Sequence, residues 1–261
     1  ARSSHGMLSR MPELSLIVPS LGKTAYINLL LLSLGKHTPQ DFEVLLEVYP
    51  DLDGDLILCD FPIHLEILDK PGMGYASNRG LRRARGDWIA WINDDMVPLP
   101  GWADFEGRVT RERILSWGLL EPIVGSFKPP CYAGVTPNEF QEEVAIREAE
   151  GRRELPQAGN FFGTFVAHRS ILEGLSWSEN TASYSTADID MPYRIFQRHP
   201  DVVFGRLGTW IYHFVHGSIR DHPELVTPGD DVQRLFVCRF GVTTGEAYDR
   251  LNARSLELWK T

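Results

Sequence analysis

Apolar positions along the chain fall into short continuous runs separated by stretches of helical period. Leu14-Ser15-Leu16-Ile17-Val18 is a β-rich run that Pro19 is expected to stop, and after the turn at Ser20-Leu21-Gly22 the segment from Tyr26 to Leu34 repeats apolar residues at helical spacing. Phe42 to Val48 predicts a second strand, His64 to Leu68 a third, and Tyr75 to Ala84 a helix closed by Gly86. Trp88-Ile89-Ala90-Trp91-Ile92 is almost wholly apolar, the pattern of a strand covered on both faces. Strands alternating with helical periods predict an α/β class with βαβ units and a mostly parallel sheet, in which ligands collect beyond the C-terminal strand ends. Asn93-Asp94-Asp95 falls at such an end.

Pro98, Pro100 and Gly101 interrupt regular structure, after which Trp102 to Arg113 predicts a helix and Trp117 to Ile123 a strand. The pattern loosens from Lys128 to Pro156, where Pro129, Pro130 and Pro137 precede a charged helical stretch from Phe140 to Arg152. Apolar character returns at Phe161 to Ala167, a helix starts within His168 to Leu172, and another carries Asp188 to Phe196, with Pro192 expected in its first turn where proline is tolerated. Beyond Val202 come Phe204, Trp210, Ile211, Tyr212 and Phe214, then His216-Gly217-Ser218, a helix from Asp230 to Arg239 and a polar tail. There is no internal repeat and no strong linker.

Composition narrows the function classes. The chain has 261 residues, 43% hydrophobic and 23% charged, which suits one large packed domain. Its formal charge of -9 gives no field that would draw nucleic acid or an anionic membrane. Cys59, Cys131 and Cys238 are odd in number and far apart, so neither a disulfide framework nor a paired metal motif is expected, and a reducing compartment is favoured. No apolar run reaches the roughly 18 residues of a membrane span, so a cytoplasmic location is expected. Ala1 to Gly6 reads as an expression remnant ahead of Met7.

Two adjacent carboxylates after a buried strand are costly unless paired, hydrated or bound to a cation. Mn²⁺ or Mg²⁺ prefers oxygen ligands and keeps water and phosphate oxygens in its shell, so one or two protein carboxylates suffice when a diphosphate brings the rest. On an extended tip Asp95 can reach such an ion while Asp94 reaches another part of a nucleotide. The competing reading is a solvated acidic turn that caps a helix after Pro98.

Three segments resemble the nucleotide-sugar-dependent glycosyltransferase family 2, with the GT-A fold: Leu16-Ile17-Val18-Pro19; the stretch from Gly72-Met73-Gly74-Tyr75-Ala76-Ser77-Asn78-Arg79-Gly80 through Ala84-Arg85-Gly86-Asp87 to Asn93-Asp94-Asp95 and Pro98-Leu99-Pro100-Gly101-Trp102; and Ala187-Asp188-Ile189-Asp190-Met191-Pro192-Tyr193-Arg194. The likeness covers roughly residues 14 to 220 and is weak between 120 and 158. It implies a Rossmann-like central sheet flanked by helices with a C-terminal acceptor-side elaboration. Within one GT-A domain, residues 7–125 would form the donor-binding half, 126–158 an insertion or lid, and 159–261 the acceptor-binding and catalytic half. The resemblance further implies a nucleotide diphospho-sugar across the strand ends near Pro19, Asn78, Arg79 and Asn93, its diphosphate on a Mn²⁺ or Mg²⁺ held by Asp95, and Asp94 near the ribose or sugar-phosphate. Many relatives have Asp where Asn93 stands, and an Asp-rich turn where this chain has Glu47-Val48-Tyr49-Pro50-Asp51, so Glu47 or Asp51 is left to meet the base.

Transfer to a saccharide, small-molecule or lipid-linked hydroxyl needs a base, and Asp188 matches the position at which inverting relatives place it, although Ala187 stands where many have Glu. Asp188 as a helix N-cap with Asp190 in the first turn is the structural alternative. His216, ahead of His213, is the candidate additional metal ligand, against a packed or surface histidine. Trp177, Tyr184, Trp210 and Tyr212 are either sugar-stacking faces or core, Gly159-Asn160-Phe161-Phe162-Gly163 resembles the segment beneath the sugars, and Arg82, Arg83 and Arg85 are either phosphate-facing or paired with surface acids. The expected activity is inverting hexosyl transfer; a retaining GT-A enzyme and a non-catalytic sugar-nucleotide binder are the alternatives, and a homo-oligomer is left open.

Overall fold

The computed structural model describes residues 12–105, 108–120, 164–179, 187–214, 219, 222–225 and 229–258. The expected insertion at 126–158, the 140–152 helical stretch, Gly159 to Gly163, Tyr184, Cys131 and His216 lie outside the described residues.

The strands are β1 (Leu14–Ser20), β2 (Phe42–Val48), β3 (Ile63–Ile67), β4 (Trp88–Ile92), β5 (Met96–Pro98), β6 (Arg113–Leu120), β7 (Thr164–His168) and β8 (Val203–His213). The helices are α1 (Thr24–His37), α2 (Met73–Arg83), α3 (Arg169–Leu172), α4 (Ala187–Arg198), α5 (Gly229–Phe240) and α6 (Thr244–Leu258). The described strands form one sheet in the order β3-β2-β1-β4-β7-β6-β8-β5. Its first four strands are parallel, as the alternation of strand and helix predicts. Beyond β4 the sheet is mixed: β7 runs antiparallel to β4 and β6, β8 parallel to β6, and β5 antiparallel to β8.

Strand side chains alternate between two apolar layers. Ile17, Leu45, Ile89 and Trp91 join Met73 of α2 and Trp177 on one face, while Leu16, Val18, Val44, Leu46, Ala90 and Ile92 meet Ile27, Leu30, Leu31 and Leu34 of α1 on the other. The fully buried side chains of Ile89 to Ile92 explain why β4 reads as a continuous apolar run. Helix α2 lies directly on β1, because a Cβ at Gly80 would stand 2.5 Å from Ile17 Cγ2.

Several elements differ from expectation for local reasons. Pro19 does not stop β1. Trp88 N–H donates to Glu13 O and Tyr49 N–H to Ser20 O, so odd positions of β1 turn their backbone toward β4 and even ones toward β2. The β4 pairing ends at Ile17, so the missing N–H of Pro19 removes no ladder bond. Residues 102–105 and 108–112 are turns, not the expected helix. Trp102 N–H donates to Leu99 O and Asp104 N–H to Gly101 O, and Trp102, Ala103, Phe105 and Val109 bury themselves from this turn-rich course at a spacing that mimics a helix. Pro192 lies in the second turn of α4, counting from Ala187, so it withdraws the N–H that would bond the Asp188 carbonyl. The polar tail is the helix α6, which buries Ala247, Leu251 and Ser255 at four-residue spacing.

Candidate active site

The ends of β1, β4 and β8 converge on the acidic triplet. Asp94 and Asp95 are 4% and 6% exposed, and among the described residues of 99–112 there is no helix for them to cap, which counts against a solvated turn. Their side chains diverge. Ser20 Oγ, at the end of β1, donates to Asp94 Oδ2 at 2.6 Å and accepts the Gly22 N–H at 2.9 Å. On the other side, His213 Nε2 stands 3.7 Å from Asp95 Oδ1. This approach is built by the sheet: β8 runs antiparallel to β5 with His213 opposite Met96, and Phe214 N–H donates to Asp95 O at 2.9 Å.

The donor set fits a divalent cation. Two ligands each about 2.1 Å from one ion stand about 3.0 Å apart at right angles and about 4.2 Å apart when opposite, and the observed 3.7 Å falls between. Asn93 Oδ1, two residues before Asp95, is buried with no hydrogen-bond partner among the described residues. No group of three or more His, Cys, Asp or Glu is disposed to hold an ion by itself among the described residues. Asp95 with His213 would therefore hold a Mg²⁺ or Mn²⁺ that takes its other oxygens from water and phosphate. The sequence reading ranked His213 behind His216. His216 lies outside the described residues, whereas register places His213: it ends the apolar stretch that runs through Trp210 to Tyr212, which continues as one strand to the rim.

The remaining candidates are distributed around this tip. Pro19 stands opposite Glu47 near the end of β1. Asn78 is committed to residues 177–179, donating from Nδ2 to Trp177 O and Glu179 Oε1 and accepting the Trp177 N–H. Arg79 pairs with Glu66, and Arg83 donates to Glu47 Oε1 at 2.9 Å and Glu66 Oε2 at 2.7 Å. Arg85 bonds Glu43 Oε2 through Nε at 2.9 Å, with His64 Nε2 3.1 Å from the same oxygen. The arginines of this cluster with described partners are thus paired with acids, and Glu43 and Glu47 are buried strand residues rather than surface ones.

These two glutamates titrate in opposite directions. Burial pushes the Glu43 carboxyl up, but hydrogen bonds from Arg85 and Ser15 outweigh it and hold the group below its ordinary value. Burial pushes Glu47 up to about 7, opposed by Arg83 and Arg79 and reinforced by Glu66, and its Oε2 is buried without a hydrogen-bond partner.

Asp188 is half-buried in the first turn of α4. Burial and the nearby Asp188 carboxylate both push the Tyr248 phenol of α6 up, which keeps that ring neutral. Asp190 is buried and accepts the Ser178 N–H at 2.8 Å and Arg194 Nε at 2.9 Å. Of the aromatic candidates, Trp177 is core, stacked on Phe165 at 6.1 Å and tilted against Trp91 at 5.4 Å. Tyr212 is also buried, edge-on to Phe214 at 4.9 Å. Among the described residues no helix is long and apolar enough to cross a membrane.

Comparison with known proteins bears on the fold. Residues 15–104 match the family model described as Glycosyl transferase family 2. An uncharacterized glycosyltransferase of Haemophilus influenzae is 32% identical over 93 residues, covering 33% of this chain and 31% of that relative. The chain thus spans about a third of the length of the curated relative it matches. Among solved structures, S. aureus TarS 1-349 in complex with UDP-GlcNAc aligns with a TM-score of 0.58 at 17% identity, over 94% of this chain and 71% of that one. Glucosyl-3-phosphoglycerate synthase from Mycobacterium tuberculosis, in complex with Mg²⁺ and UDP, aligns with a TM-score of 0.50 at 14% identity, over 94% and 79%. At such identities the likeness speaks for the fold, and the fold is GT-A.

Proposed function

We propose that this chain, a GT-A protein whose residues 15–104 carry the glycosyl transferase family 2 match, moves a sugar from a nucleotide diphospho-sugar to a hydroxyl acceptor with inversion at the anomeric carbon. The observation that carries the reading is the approach of His213 to Asp95 at the end of β4, next to an Asp94 bonded by Ser20. A crevice beyond parallel strand ends is where an α/β sheet receives a nucleotide. The UDP complexes of the two structural neighbours support a uridine donor as the first to test.

In this reading Asp95 and His213 would hold the cation. A divalent cation there supplies the positive charge that offsets the two phosphates of the donor and of the departing diphosphate. Asp94, held by Ser20, would stand near the ribose or sugar-phosphate of the donor. Asp188 accepts the acceptor hydroxyl proton as that oxygen bonds to the anomeric carbon, while the nucleoside diphosphate leaves from the opposite face with the bonding electron pair. The Tyr248 phenol, neutral beside Asp188, adds no competing charge. The acceptor is a saccharide, a small molecule or a lipid-linked hydroxyl, and residues 7–125 and 159–261 divide donor from acceptor work.

The test is nucleoside diphosphate release from a panel of UDP- and GDP-sugars with Mn²⁺ or Mg²⁺. Asp95→Ala should abolish the cation-dependent rate. An undiminished rate in that variant removes the metal role and the reading with it.

A further inference from the structure

Between α3 and α4, residues 177–179 are gripped from three elements. From α2, the Asn78 side chain meets both backbone polar groups of Trp177, with Nδ2 donating to Trp177 O at 3.0 Å and Oδ1 accepting Trp177 N–H at 2.8 Å. The same Nδ2 reaches Glu179 Oε1 at 2.9 Å. The backbone of α2 lies against this segment too, since a Cβ at Gly74 would stand 2.0 Å from Ser178 O. From the sheet, Trp91 of β4 packs on Trp177, two residues before Asn93. From α4, Asp190 accepts the Ser178 N–H at 2.8 Å.

Asp190 is itself immobilised. It is 2% exposed, and Arg194 Nε donates to it at 2.9 Å from the same helix while Arg239 NH1 lies 3.4 Å away on α5. A buried carboxylate with these charge-assisted partners is a stiff anchor. It sits two residues from Asp188 on the first turn of α4, the turn whose continuation is weakened by Pro192. Contacts through Trp177, Ser178 and Asp190 thus connect the turn that carries Asp188 to α2 and to the β4 tip.

We propose that Asp190 and Asn78 are positioning residues for sugar transfer: by holding residues 177–179 from opposite sides, they set the distance between the donor-side helix α2 and the turn that carries Asp188. This rests on Asp188 acting as the base. Neither residue needs to touch the acceptor. A displacement of about 1 Å at the base costs on the order of 10²-fold in rate, whereas donor binding, made at the β1, β4 and β8 ends, is left alone.

The experiment compares Asp190→Ala, Asp190→Asn and Asn78→Asp with the native protein. Asparagine at 190 retains a neutral acceptor for the Ser178 N–H, and aspartate at 78 retains the acceptor for the Trp177 N–H while losing both donor contacts. If Asp190→Ala fails to fold, the two milder variants carry the test. Hydrogen exchange of residues 174–179 and of the first turn of α4 reads the grip directly. Rates of nucleoside diphosphate release, from whichever UDP- or GDP-sugar the native protein turns over, give kcat and the donor KM. The expected result is faster exchange at 174–179, a kcat lowered by about 10²-fold for Asp190→Ala and less for Asp190→Asn, and an unchanged donor KM. Unchanged exchange, or loosened exchange with kcat intact, overturns the proposal. A kcat that follows global thermal stability instead of local exchange overturns it as well. A native protein that turns over no donor removes the transferase reading and the positioning role together, and the exchange data separate that outcome from a failed grip.

Discussion

Glu47→Gln should abolish a fall in stability that the native protein undergoes as pH rises through the weakly acidic range. Glu47 is fully buried on β2, with one oxygen facing Arg83 and the other without a hydrogen-bond partner, and its pKa is pushed from 4.5 up to about 7. The unfolded chain releases this proton near pH 4.5 while the folded protein keeps it to about pH 7. Between those values the folded state binds more protons, so unfolding free energy decreases as pH increases and levels off above the folded pKa. The shift is about 2.5 units, and at about 1.36 kcal/mol per unit it corresponds to about 3 kcal/mol. For a chain of this size that is on the order of 6–12 °C in Tm. Glutamine has the same shape and no charge to bury, and Arg83 keeps its bond to Glu66. Urea unfolding of both proteins at about pH 4.5, 6 and 8 checks this, because other titrating groups cancel in the difference. The native protein should lose about 3 kcal/mol relative to Glu47→Gln across that range. A difference that stays constant, or that grows in favour of the native protein as pH rises, refutes the account of Glu47 as a carboxyl dominated by burial.

Glu43 should behave in the opposite sense. Its depressed pKa means that its contribution is present above about pH 4.5 and is lost as the solution is acidified through the folded value, so Glu43→Gln should flatten the acid limb of the stability profile measured by circular dichroism. Arg85→Ala, which strands the buried Glu43 carboxylate, should cost about 3 kcal/mol in denaturant unfolding. Gly80→Ala forces a methyl to within 2.5 Å of Ile17 Cγ2 and should destabilise by about 1–3 kcal/mol, read as a lower thermal midpoint with donor binding retained in the folded fraction. His213→Ala should weaken Mn²⁺ affinity, measured by the free-ion electron paramagnetic resonance signal, by at least about tenfold without unfolding the protein.

The first half of the sheet was legible because its signals are local. β1 and β4 are compact apolar runs, and β2 is one broken only by Glu43 and Glu47, the pattern of parallel strands buried on both faces. The acidic triplet could be placed at a strand end for the same reason. What escaped was long-range. The turns at 102–105 bury Trp102 and Phe105 at a helix-like interval, and only the partner surface distinguishes the two courses. Nothing near His213 announces Asp95; that approach follows from β8 pairing antiparallel with β5, a register that no local pattern encodes. Asn78 was legible as a motif residue, yet its bonds to Trp177 depend on a segment 99 positions later.

The pairing of β8 with β5 also fixes when His213 meets Asp95, and with it the proposed cation site. A ribosome that has delivered only β1 to β5 has made Asp94 and Asp95, but the imidazole that meets Asp95 emerges more than a hundred residues afterwards and must still zip into register against Met96. On the proposed reading metal affinity arises only once β8 is in place, and manganese retention by nascent or truncated chains would report whether synthesis has passed it.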